Sequence, residues 1–433
     1  MSPSPDGFFF VVHTTVTRFI TEKLVCSTKK KKIFEMVNDN LSALEKDIFD
    51  KISKSDAGGL KFLLSQLTGT SVDIVDENGM TPLQHACYKG NVECVQMLLD
   101  QGADPNSSKH GMNYTALHFA ALSGNTSICL LLLLAGANSM ALNSVSRTAA
   151  QMGGFVGNHR AVATINNFIP KLEIEYYTKL QGQQTEPYLP IILLDPFHRF
   201  VIESNIHPVR IALNLQKFGA FSDHLKQLKK VLEMMAEREM QRSNEVNEIM
   251  AFKYHYLGWI VTEIHKCRDH FQSRNKDGGV DNKSVDYVEL FAKRVLKENK
   301  QGLLEYVEST VRDCVREFPF RECTIFRQVV SQLANKDCTS ALDVVRAAIN
   351  GQRGFVEDIT ACSTCGEEGP DKKCSKCKQV QYCDRECQRL HWFMHKKACA
   401  RPMPTGTASN GANAKKDIDA TEISESLQNL VAG

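Results

Sequence analysis

Thr81-Pro82-Leu83-Gln84-His85-Ala86 recurs as Thr115-Ala116-Leu117-His118-Phe119-Ala120 and, weakened, as Thr148-Ala149-Ala150-Gln151-Met152-Gly153, at offsets of 34 and 33 residues. Gly90, Gly124 and Gly157 keep the same phase, as do Gly102-Ala103 and Gly136-Ala137. Each position has a physical reason. Thr81 caps a helix, and Pro82 fills its first turn, where no backbone N–H is needed. Leu83 and Ala86 face the neighbouring unit, and Gly90 allows a left-handed turn between paired helices. The second helices carry apolar blocks, Val95 to Leu99 and Leu130 to Leu134, which one unit cannot bury alone.

This period and its Thr-Pro-Leu start resemble ankyrin repeats, in which stacking of neighbours is obligatory. Phe49 to Asn78 lacks the Thr-Pro start but carries Leu60, Phe62, Leu63 and Leu64 in register, so it reads as the N-terminal cap. The weakened Thr148 unit reads as the cap at the other end. The expectation is a repeat domain over residues 41–170 made of a cap, two full repeats and a C-terminal cap. Such stacks bind partners with their concave face, first helices and loop tips.

The second decisive stretch is CSTCGEEGPDKKCSKCKQVQYCDRECQRLHWFMHKKAC, residues 362–399. It holds four short pairs, Cys362/Cys365, Cys374/Cys377, Cys383/Cys387 and His395/Cys399, while the other eight cysteines lie scattered from Cys26 to Cys338. A gap of two or three residues lets one turn of chain present two donors to the same Zn²⁺, so eight ligands suffice for two closed tetrahedral sites. Disulfides suit oxidising compartments. The apolar run Phe8 to Val12 is too short for a signal peptide and lacks a basic lead-in, so reduced thiols and zinc are expected. Spacing alone leaves the pairing open, since a sequential and an interleaved scheme both satisfy it. His391 is a rival ligand, because residues 391, 395 and 399 line one face of a helix.

The stretch resembles a MYND zinc finger, with every ligand position matched between Cys362 and Cys399. The resemblance implies cross-bracing: Cys362, Cys365, Cys383 and Cys387 on one zinc, and Cys374, Cys377, His395 and Cys399 on the other. It favours His395 over His391. Four protein ligands per ion leave no place for water or substrate, so the metal stabilises rather than catalyses. Structural zinc supplies roughly 10–16 kcal/mol of apparent binding free energy in finger peptides, which a segment this small needs in order to fold. MYND fingers bind short proline-containing peptides in a shallow groove, and Ser375, Gln388 and Trp392 match the family's peptide-contacting positions. Trp392 reads equally as a surface anchor or as a core plug. Eight Lys and Arg against five Asp and Glu in this segment offset the thiolate charge and do not imply nucleic acid.

The full chain has 433 residues, a formal net charge of +2 and 24% charged residues, which gives no global field for nucleic acid or anionic membrane. No apolar run approaches the about 20 residues needed to span a bilayer, so a soluble, intracellular chain without membrane insertion is expected. Residues 1–40 are poorly patterned, and Lys29 to Lys32 read either as a solvated leader or as a nuclear import signal. Residues 171–204, with their prolines and glutamines, are expected to form an extended linker. Residues 205–355 are expected to form a helical domain. Apolar steps of three and four predict helices over Asp223 to Gln241, Glu245 to Phe271, Ser284 to Asn299 and Leu303 to Phe318. Phe252, Tyr256, Trp259 and Ile260 make one core stripe. The finger is placed at 360–400, and 401–433 is expected to be disordered, apart from helical spacing at Ile423, Leu427 and Leu430. The fold class is mostly α: an ankyrin-repeat solenoid, a helical middle domain and a small two-zinc finger at the C-terminal end.

That order of modules, together with DENGMTPL (76–83), NSVSRTAAQM (143–152), YYTK (176–179) and IHPVRI (206–211), resembles the ankyrin repeat and MYND domain-containing protein 2 family over Asp76 to Cys399; residues 1–40 do not match it. The resemblance implies a non-enzymatic adaptor of cytoplasm and cilium that helps deliver adenylyl or guanylyl cyclases to cilia and contacts an FK506-binding chaperone and hedgehog signalling. Two other classes use such fingers. A nuclear co-repressor has only Lys29 to Lys32 as a local hint. A lysine methyltransferase needs a cofactor-binding Gly-rich segment and an Asn-His motif in a β-rich domain, whereas the Asn158-His159 pair sits in an ankyrin turn.

Overall fold

The computed structural model describes residues 43–67, 71–242, 246–276, 286–335, 340–351 and 360–399. The expected extension over 1–40 with its lysine run, and the expected tail over 401–433, lie outside the described residues. The chain divides into two compact units between Trp392 and Phe393, inside its last helix.

Four helix pairs open the fold: α1 (43–53) with α2 (Ala57–Gln66), α3 (Pro82–Lys89) with α4 (Val92–Asp100), α5 (Ala116–Ser123) with α6 (Thr126–Leu134), and α7 (Ala149–Phe155) with α8 (His159–Asn166). Leu83, Ala86, Leu98, Leu117, Ala120 and Leu132 form one continuous core through the stack. Gly90 and Gly124 end α3 and α5 at φ of 74° and 71°, as the repeat spacing requires. Leu60 and Leu64 of the first pair are buried as expected, but Phe62 is 65% exposed. Two positions away from Leu60, it falls on the opposite face of α2.

In the first two Thr-start elements the fourth residue joins successive repeats. The buried Gln84 side chain accepts from the Thr81 N–H at 2.8 Å and donates to the carbonyls of Ser107 and Tyr114, both at 2.9 Å. His118 repeats the device: Nδ1 accepts from the Thr115 N–H at 3.2 Å, and Nε2 lies 3.1 Å from the Arg147 carbonyl. Asparagines do the same at the second helices. Asn125 donates to the Gly90 carbonyl at 3.1 Å, and Asn158 to those of Ala121 and Leu122 at 2.9 and 2.8 Å. Gln151 closes only its own cap, at 2.9 Å, and is exposed, because no further repeat follows to receive its amide.

Residues 171–204 depart from the expected extended linker, for they carry α9 (Lys171–Thr178) and α10 (Leu194–Ile202). Leu194, Phe197, Phe200 and Val201 give α10 a buried stripe, and Pro196 sits in its first turn, where its missing N–H costs nothing. Beyond lie α11 (Pro208–Lys217), α12 (Leu225–Met240), α13 (Glu248–Lys276), α14 (Tyr287–Val295), α15 (Glu305–Arg316), α16 (Thr324–Ala334) and α17 (Ala341–Asn350). The forecast helices over 223–318 are all present, with α13 running five residues past the expected Phe271. α13 is the spine of this layer, with Phe252, Tyr256 and Ile260 fully buried and Trp259 half-buried. The Phe252 ring meets Phe318 edge-on at 5.1 Å. α17 packs against α8, so the last repeat is covered by the helical layer. No described helix is long and apolar enough to cross a membrane.

Lys253 is fully buried on α13, with Nζ donating to the Glu203 carbonyl at 2.9 Å. Burial pushes its pKa down to about 7. Between that value and the ordinary lysine value the unfolded chain binds the extra proton, so stability rises with pH across this window, by up to about 1.4 kcal/mol per pH unit. Urea denaturation at pH 7 to 9 should show this rise, and Lys253→Met should flatten it. For the stack, Gln84→Ala should cost about 2–4 kcal/mol in the same measurement, because it strands buried carbonyls. Gln151→Ala should cost under about 1 kcal/mol.

Candidate metal centre

The finger begins with a bridge between Ala361 and Glu368 and continues through β1 (Lys372–Lys373) paired antiparallel to β2 (Gln381–Tyr382), then α18 (Arg385–Cys399). Two tight turns aim the first two ligand pairs. The Cys362 N–H donates to the Glu367 carbonyl at 2.7 Å, and the Gly366 N–H to the Cys362 carbonyl at 2.9 Å, with Gly366 at φ 67°. The second turn repeats this pattern: the Cys374 N–H donates to the Val380 carbonyl and the Lys378 N–H to the Cys374 carbonyl, both at 2.9 Å, with Lys378 at φ 56°. Asp384 caps α18 by accepting from the Cys387 N–H at 2.8 Å, which places Cys387 in the first turn facing inward. Thr364, fully buried, donates to the Cys387 carbonyl at 2.6 Å and ties the first turn to that helix.

The structure brings together Cys362, Cys365, Cys383 and Cys387 in one cluster, and Cys374, Cys377, His395 and Cys399 in another, with the donor atoms of each within 4.8 Å of one another. The grouping is interleaved. Within the first cluster the Cys365 sulfur lies 3.6 Å from that of Cys383 and 3.8 Å from that of Cys387. Tetrahedral zinc with Zn–S near 2.3 Å has sulfurs about 3.8 Å apart, whereas a disulfide needs about 2.05 Å. Four thiols this close cannot all ionise unaided. Hydrogen bonds from Cys365 and Cys387 pull Cys362 well below the ordinary thiol range, while Cys387 is driven up by Cys362, and Cys383 by burial and its charged neighbours. A bound dication would hold all four as thiolates. The donor sets therefore fit two zinc ions, four ligands to each.

His391 is not among the clustered donors; its Nδ1 faces the Tyr382 hydroxyl at 3.0 Å. Ser375 is exposed in the turn after Cys374, and Gln388 is half-buried on α18. Trp392, four residues further on the same face, is 44% exposed and so is not a core plug. Seven thiolates on two dications leave three negative charges, matched by the excess of three cations in the segment, so the finger has no basic field of its own. Sequence reasoning missed Thr364 and Asp384, whose roles depend on tertiary placement; an Asp two residues before Glu386 in a Cys-rich stretch was the available capping signal.

Residues 52–143 match a family model of ankyrin repeats, three copies, and residues 362–399 match the MYND finger. The chain is 31% identical over 363 residues to Dauer abnormal formation protein 25 of Caenorhabditis elegans, covering 82% of this chain and 89% of that protein. It is 39% identical over 84 residues to human ankyrin repeat and SOCS box protein 3, covering 19% of this chain and 16% of that protein. With mouse inversin it is 29% identical over 179 residues, 40% of this chain and 16% of inversin.

Elemental analysis of purified variants tests the second cluster. His395→Ala should lose one of two zinc equivalents, and His391→Ala should keep both; the reverse pattern would move the ligand role to His391.

Proposed function

The chain belongs to the ankyrin repeat and MYND domain-containing protein 2 family, and from that membership we propose that it is a non-catalytic adaptor that helps carry membrane signalling proteins, adenylyl or guanylyl cyclases, to cilia. Its repeats and finger are protein-interaction modules. The observation that carries the reading is the closed donor set: each metal cluster offers four protein ligands, so a bound zinc has no open place at which to activate water or substrate. Zinc here shapes a docking surface.

Two surfaces support that role. In the finger, Trp392 stands 44% exposed on α18 with Gln388 one turn before it, a pair suited to a proline-containing peptide. In the repeats, the loop tips expose Met112, Met140, Leu142 and Val145, with Met140 and Leu142 at 60% and 57%. An apolar row of this kind on a stacked scaffold suits a partner that buries it. The ciliary destination, the cyclase clients and the FK506-binding chaperone rest on the family resemblance and form part of the proposal.

Proximity labelling of the tagged chain in ciliated cells should enrich cyclases. Leu142→Asp or Trp392→Ala should lower that enrichment, each by about tenfold or more if its surface carries a hot spot. A labelling set free of cyclases at the cilium base and shaft would contradict the trafficking proposal.

A further inference from the structure

Every module of the described chain meets at the first zinc turn. Asn205, between α10 and α11, donates from Nδ2 to the Cys365 carbonyl at 3.1 Å and to the Glu367 carboxylate at 2.7 Å. Its own Oδ1 accepts from the His207 N–H at 3.1 Å and so sets the first turn of α11. Arg210 on α11 lies 3.6 Å from Glu203 and 3.9 Å from Glu367. Gly366 is pressed against His207 and Arg346: a Cβ there would come within 3.2 Å of the one and 3.3 Å of the other. Arg160 on α8 faces Glu368 at 3.8 Å. Behind this turn, Asn350 at the end of α17 accepts from Asn167 beyond α8 and donates to the Ser204 carbonyl, both at 2.8 Å.

Charged side chains of both signs gather at the junction. A cleft of about 630 Å³ opens in it, lined by residues that include Arg160, Arg199, Asp343, Arg346, Glu367 and Glu368. The contacts that Asn205, Arg210 and Arg160 make to residues 365–368 are directional hydrogen bonds and ion pairs, and each depends on the path of the backbone through residues 362–368. That path is fixed by two of the four ligands of the first cluster, Cys362 and Cys365. The second cluster's turn differs, for Lys372, Lys373, Ser375, Lys376 and Lys378 are all exposed.

We propose that zinc in the Cys362, Cys365, Cys383 and Cys387 site is a latch: by fixing residues 362–368 it fastens α8, α11 and α17 to one another, so that metal occupancy of this one site sets the local stability of the last ankyrin repeat and of the helical layer. This coupling is independent of which partner the adaptor carries. Zinc removal is then felt at the repeats, about 200 residues away in sequence.

Hydrogen exchange by mass spectrometry on the full chain tests it, with bound zinc counted in each sample. Cys365→Ser, which breaks the first cluster, should speed amide exchange in α8, α11 and α17 by about tenfold or more, while Cys374→Ser, which breaks the second, should leave those helices within about twofold of the parent. Exchange changes confined to residues 360–399, or equal effects of the two variants on the three helices, would overturn the proposal. Asn205→Ala supplies a readout that leaves every metal ligand in place. With both zinc ions bound, it should still speed exchange at residues 363–368 and in the first turn of α11; unchanged exchange at both would also overturn it.

Discussion

Four thiols held within 4.8 Å of each other impose the strictest demand in this molecule. Packed as neutral groups they form only weak sulfur hydrogen bonds, and as bare thiolates they repel; a bound dication would offset that repulsion and hold the same geometry. The turn at Gly366, the cap at Asp384 and the buried Thr364 hydroxyl bring these sulfurs to that spacing, and the turn at Lys378 aims the Cys374 and Cys377 pair of the second donor set. The finger has few large apolar residues to hold it otherwise; among its described residues Tyr382 and Leu390 are the large apolar side chains buried outside the ligands.

The repeats obey a different constraint. Short helices of seven to nine residues leave several backbone groups at each end without intrahelical partners. Here Gln84, His118, Asn125 and Asn158 answer carbonyls of the neighbouring repeat with their side chains. Capping and stacking are thus one operation, which is why such helices persist in a stack and not singly. At the end of the stack Gln151 lacks a receiver, and α17 takes over the packing through α8.

Much of this was legible in the residues. Repeat phase gave the helix pairs because Thr, Leu and Gly each answer a local geometric need, and ligand spacing gave the two zinc turns because a bite of two donors per turn is a local property. Helical steps over 223–318 likewise named the middle helices. The linker was misread where prolines outweighed the stripe of Leu194, Phe197 and Phe200; proline in a first turn is compatible with a helix, and only burial distinguishes the cases. The interleaved pairing of ligands, the contact of His391 with Tyr382, and the role of Asn205 were not legible from spacing, since each depends on which elements meet in space.

X-ray absorption at the zinc edge of the purified full chain measures the coordination on which this rests. Two filled sites should give four-coordinate zinc, with seven sulfurs and one nitrogen in total over the two ions, at distances of about 2.3 and 2.0 Å and with no light-atom water shell. A spectrum requiring bound water, or sulfur counts matching a single filled site, would contradict it.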